Sequence, residues 1–247
     1  MSLHLEDWKK CSPGAKRFLV TAPSMVVPNE EFDINVAALR ADGYPDPEFR
    51  GKVILRSTDG SARIPREFSF GPDDKGVHRF MGLSLCALGV HTIAAEVEGS
   101  TLKGTSNPIK CCEERPYNLY WGDIHVHSIL GWCQPAIAKS VDFAYWFGQA
   151  VSNLDFCAVT DHAYGLNDEK WQLSMAKARE YNRPGDFVTF LGYESSHTTE
   201  NGGDINVYYL DEGGFRNFLP EGGNLSNLWQ WLKDQGNRFM TIPHHTA

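Results

Sequence analysis

Up to the segment EERP, Glu113 to Pro116, this sequence is written in short β-rich runs; beyond it, strands alternate with helical segments. The first stretch holds RFLVTAP, EFDINVAAL, GKVILRS, REFSFG, VHRFMGLSL and VHTIAAEVE, with the turn clusters DGYPDP, TDGS and GPDDKG between them. Short strands at this spacing predict an antiparallel sandwich over residues 1–115. Its isolated histidines, His78 and His91, and its turn residues read as structural.

Residues 116–247 predict a different unit. NLYWGDIHVH, DFCAVTDH, DFVTFLGYES, INVYYL and RFMTIPHH read as strands, and Ser140 to Leu154, Asp168 to Asn182 and Leu225 to Gln235 as helices. Apolar strands alternating with helices imply a parallel sheet covered by helices. The aromatics of FAYWFGQAV and LWQWLKDQG fall at helical spacing and are assigned to the packed helix faces. Asn224 reads as the cap of the helix from Leu225.

The chemistry collects at strand ends. In GDIHVHS, His125 and His127 lie two apart, so both imidazoles share one face of a strand. AVTDH ends on Asp161 and His162, TFLGYE on Glu194 and MTIPHH on His244 and His245. In a parallel α/β barrel the carboxyl ends of the strands meet at one face. Buried titratable groups need partners, and imidazole with carboxylate suits zinc, manganese or iron. More ligands than one zinc uses imply at least two ions.

GDIHVHS, AVTDH, GYE and PHH, in that order, resemble the motifs of the PHP (polymerase and histidinol phosphatase) superfamily. Within it, YWGDIHVHS, LDFCAVTDHA and GYESSHTTENGGDINVYY resemble a PHP-like group of unknown function. The resemblance covers about residues 117–247. It implies a distorted TIM-like barrel of seven βα units, with two or three divalent ions and phosphoester hydrolysis; the sandwich before it resembles immunoglobulin-like modules in pattern. It makes His125, His127, His162, Glu194 and His244 ligands, with Glu194 bridging. Asp204 stands where relatives have a histidine ligand, and His197 is its rival. Cys133 stands near a position where relatives carry a further His or Asp, and a thiol there leaves the third ion open. The last motif, Asp-x-His, has no counterpart before Ala247, so the barrel is expected to be incomplete and the chain a fragment.

Composition narrows the partners. Lys and Arg total 23 against 31 Asp and Glu, a net charge of −8 that gives a nucleic acid backbone no general reason to bind. No run is apolar enough to span a bilayer, and six cysteines in 247 residues make no disulfide framework, so a soluble, cytoplasmic protein is expected. No nucleophile elbow, His-Glu-x-x-His helix or phosphate loop is present. The sequence therefore predicts a hydrolase acting on a small, phosphorylated molecule through metal-activated water, with Asp161 or His197 moving the proton. Lys139, Lys170 and Arg179 are the candidate phosphate contacts. An amidohydrolase-like C–N hydrolase and an inactive binding module are the alternatives. An unfinished sheet edge would favour homo-oligomers.

Overall fold

The computed structural model describes residues 14–133 and 139–244. The chain divides into two compact units, one running up to Tyr120 and including Ala150–Asn153, the other made of Trp121–Gln149 and the residues from Leu154 on.

The first unit is a β-sandwich built from β1 (Arg17–Thr21), β2 (Met25–Val26), β3 (Phe32–Leu39), β4 (Lys52–Ser57), β5 (Glu67–Ser69), β6 (Val77–Leu83), β7 (Gly89–His91), β8 (Ile93–Val97), β9 (Lys103–Thr105) and β10 (Ile109–Cys111). They form three small sheets, ordered β1-β3-β6, β2-β10-β7 and β5-β4-β8-β9. Alternate residues of the strands turn inward, so that Phe18, Ile34, Val36, Val53, Leu55, Ile93 and Ile109 share one core. His78 is taken up structurally: its Nδ1 lies 2.8 Å from Asp74 Oδ1 and its ring stacks on Phe68.

The second unit runs β11 (Gly122–Val126), α1 (Val141–Trp146), β12 (Phe156–Val159), α2 (Asp168–Tyr181), β13 (Val188–Ser195), β14 (Ile205–Tyr209), α3 (Leu225–Asp234) and β15 (Phe239–Pro243). Side chains of Ser140, Asn167 and Asn224 cap the three helices by accepting backbone N–H bonds in the first turn. On α2, Trp171, Ala178 and Tyr181 recur at helical spacing and face the sheet. With Tyr145, Leu228 and Leu232 they cover Cys157, Val159, Leu191, Tyr193, Val207 and Tyr209.

The barrel expected from the sequence is not what forms. A single five-stranded sheet of order β11-β12-β13-β14-β15 is found, in which β14 runs antiparallel to both neighbours. The reason is the connection after β13. Residues 196–204 are too short for a parallel crossover, which takes a dozen residues or more, so the chain must return antiparallel. The sheet is strongly curled. His125 on edge strand β11 and His244, just past edge strand β15, have ring centroids 4.2 Å apart.

Candidate metal centre

The reversal of β14 decides what gathers at one end of the sheet. His127, His162, Glu194 and His244 come from the carboxyl ends of strands that run one way, and Asp204 from the amino end of the strand that runs the other. All five therefore meet. Glu194 is 1% exposed and sits at the centre. Its Oε2 lies 3.3 Å from His125 Nε2, 3.1 Å from His127 Nε2 and 3.2 Å from His162 Nδ1. Its Oε1 lies 2.8 Å from His244 Nε2. His125 Nε2 and His127 Nε2 are 3.1 Å from each other.

Protons alone satisfy this arrangement poorly. A neutral imidazole carries one N–H, and only one of two facing nitrogens can hold a hydrogen between them. Protonating every ring would bury adjacent cations, and burial in fact lowers the pKa of His125 and of His162, against the pull of Glu194. Burial raises the Glu194 carboxyl, but hydrogen bonds from His127 and His244 and the charge of His162 outweigh it and hold it at about 2. A buried carboxylate ringed by four imidazole nitrogens is a donor set that fits a divalent cation.

The donor atoms fall into overlapping triads, each within 4.8 Å: His125, His127 and Glu194; Glu194, Asp204 and His244; and His127, Cys133 and His162. Each metal residue named from the sequence is thus found in this cluster, and the Cys133 thiol stands beside it. His245 lies outside the described residues.

The two residues named as proton carriers are placed otherwise. Asp161 is buried and accepts from Ser128 N–H at 2.6 Å and Ser128 Oγ–H at 2.5 Å. Burial raises its pKa, against these bonds. Its carboxylate therefore fixes the turn that follows His127, and its oxygens are engaged inside the protein. His197 is also buried, with Nδ1 donating to the Gly223 carbonyl at 3.2 Å and Nε2 accepting from Ser195 Oγ–H at 2.9 Å. Both ring nitrogens are spent tying the end of β13 to the loop before α3, and proton transfer by His197 is corrected to a structural role. Two of the three candidate phosphate contacts are engaged elsewhere. Arg179 pairs with Glu212 on the surface, and Lys170 Nζ donates to the Leu130 and Gly165 carbonyls at 3.0 and 2.5 Å.

One residue escapes a reading by motif. Tyr208, on β14, lies over Gly192, where an added Cβ would stand 3.1 Å from the Tyr208 ring. Its hydroxyl reaches the Ile124 carbonyl on β11 at 2.7 Å. The pairing of β11 with β12 shifts register between Asp123 and Val126, so this bond anchors the irregular stretch that carries His125. Burial pushes the Tyr208 phenol up to about 12, which keeps it a donor.

A family model described as "Protein of unknown function (DUF3604)" matches residues 164–247. No curated protein matches the chain. Among solved structures, the D0-D1 domain of intimin is similar at 14% identity over 37% of this chain and 45% of that one, with a TM-score of 0.30. A glycosyl hydrolase family 2 member from Bacteroides cellulosilyticus is similar at 15% identity over 41% of this chain and 15% of that one, with a TM-score of 0.34. The chain thus spans less than half the length of either, and at such scores the likeness carries no argument about fold or activity. The family model, whose description is not that of the PHP superfamily, points away from it, and that resemblance is corrected. No helix among the described residues is long and apolar enough to cross a membrane.

Proposed function

We propose that the second unit is a metal-dependent hydrolase, with phosphoesters as its first substrate class. The observation that carries this reading is the buried Glu194 carboxylate met by four imidazole nitrogens from β11, β12 and β15 within 3.3 Å. The triads His125–His127–Glu194 and Glu194–Asp204–His244 share that carboxylate, which favours a pair of ions over one.

Bound there, divalent ions would lower the pKa of a coordinated water and offset charge on the oxygen that develops it. The protein's own part is positional. Asp161 holds the turn after His127, and Tyr208 anchors the strand before His125. His125 is the most exposed of the four imidazoles and lies on the side that a substrate would reach.

Elemental analysis of the wild type against the double variant His125→Ala/His127→Ala tests the reading. We expect two or more equivalents of transition metal in the wild type, their loss in the variant, and a fall of about 100-fold or more in phosphoester hydrolysis on chelation. Metal-free wild type that cannot be reloaded, or hydrolysis indifferent to chelator, would overturn it.

Tyr208→Phe makes a finer prediction. Loss of the hydroxyl leaves the Ile124 carbonyl short of a partner, at a cost of about 1–2 kcal/mol in stability. Metal affinity should fall about 10-fold by competition with a chelator, as for other groups that orient ligands. Unchanged affinity would show that β11 holds its shape without the bond.

A further inference from the structure

Beside the histidine cluster, two loops present aromatic rings to solvent. One is the turn Ile129–Gly131 and the residues after it; the other is Ala163–Gly165. Trp132 is 70% exposed and Tyr164 46%. Single exposed aromatics are ordinary surface features and need no explanation. Three observations set this pair apart.

The loops are locked together. A Cβ on Gly165 would stand 2.5 Å from the Gly131 carbonyl carbon, so the two backbones touch where only glycine fits. Lys170 clamps both loops through the carbonyls of Leu130 and Gly165, and its ammonium lies 5.4 Å from the centroid of the Trp132 ring. The rings are thus carried on a rigid base.

Trp132 occupies the left-handed region, at φ 61° and ψ 5°, which costs a non-glycine residue about 1–2 kcal/mol. Its exposed ring wins back little of that by burial. Strain of this kind gathers at functional sites.

Tyr164 stacks on His162, with ring centroids 4.6 Å apart and planes 19° from parallel. Tyr164 therefore lies against one of the proposed metal ligands, and Trp132 is carried on the loop locked to its own.

We propose that Trp132 and Tyr164 form a subsite for the leaving group of the substrate, and that this group is a neutral or anionic aromatic ring. The inference rests on the metal-centre reading and names its substrate class: aryl esters whose reacting group lies at Glu194 and its imidazoles. Aromatic rings gain from offset or edge-on contact with tryptophan and tyrosine beyond what their area supplies. The Lys170 ammonium already uses the cation-binding capacity of the Trp132 ring, which disfavours a cationic ring on that platform and suits one that leaves as an aryl oxide.

The test is titration of the metal-loaded full chain with phenyl-, cyclohexyl- and methylphosphonate, none of which hydrolyses. The phenyl compound is expected to bind about 10-fold more tightly than the methyl compound, the size of a good aromatic contact. In Trp132→Ala that ratio should fall towards one. Equal affinity for phenyl and methyl in the wild type, or no binding of either to the loaded protein, overturns the subsite. Cyclohexyl binding as tight as phenyl overturns the aromatic preference in favour of any apolar ring. Failure to load metal is a separate result that overturns the centre itself. The metal-free chain titrated with the phenyl compound, read by fluorescence in the wild type and Trp132→Ala, then decides the subsite: a response that depends on Trp132 upholds it and its absence overturns it.

Discussion

Replacing Glu194 with glutamine should weaken metal binding by at least about 100-fold, the upper end of what loss of an orienting partner costs and a lower bound for loss of a ligand. Glu194 is the one carboxylate common to two of the donor triads, and it is buried to 1% exposure. Glutamine keeps the shape, removes the charge and turns an amide N–H towards imidazole nitrogens that can accept it. Phosphoester hydrolysis by the variant should fall with metal content and recover only in part at saturating metal. The far-ultraviolet circular dichroism should stay that of the wild type, which separates loss of metal from loss of fold. Metal held by Glu194→Gln within a few-fold of the wild type would show that the carboxylate is a structural acceptor for four histidines.

The same geometry sets the direction of the pH effect on binding. Burial lowers the pKa of His125 and His162, so these rings offer lone pairs at neutral pH without first losing a proton. Affinity should hold through the neutral range and fall as acid protonates the imidazoles.

Much of this was legible in the sequence because strands and helices announce themselves by period. FCAV, VTFLGYES and INVYY each form a strand, and the runs from Asp168 and Leu225 each form a helix behind an asparagine cap. Two histidines at spacing two, and single His or Glu residues at later strand ends, point to one place whenever those ends align. The antiparallel run of β14 carries no motif, and its one signal is the shortness of residues 196–204. Roles set by distant partners left no local trace. Asp161 meets Ser128 and His197 meets Gly223, and neither pairing has a periodicity to betray it. Tyr208 read as a core strand residue until the curl of the sheet brought it over Gly192 to β11.

The sandwich carries the second large effect, at a residue whose turn, STDGS, looked ordinary. Asp59 is 4% exposed, and its carboxylate accepts from the backbone N–H groups of Ser61, Cys86 and Ala87 at 2.9, 2.7 and 3.0 Å and from Ser61 Oγ–H at 2.6 Å. Burial pushes its pKa up, but these four donors prevail and hold it well below the usual carboxylate range. One side chain thus joins the turn after β4 to the segment before β7. Asp59→Ala would leave buried N–H groups unpaired, at a cost of about 3 kcal/mol. Because the folded pKa is depressed, the ionised carboxylate stabilises fully above its unfolded value of about 3.9, and that contribution is lost as pH falls towards the folded one. The gap in stability between wild type and Asp59→Ala should therefore be widest at neutral pH and close in acid. Six of the seven tryptophans, Trp121, Trp132, Trp146, Trp171, Trp229 and Trp231, lie beyond Tyr120, so the fluorescence follows chiefly the second unit; the seventh, Trp8, lies outside the described residues. Denaturation watched by far-ultraviolet circular dichroism, which also sees the sandwich, should shift in Asp59→Ala by more than the tryptophan signal does. Coincident, unshifted transitions at pH 7 would mean that the two loops hold together without the carboxylate.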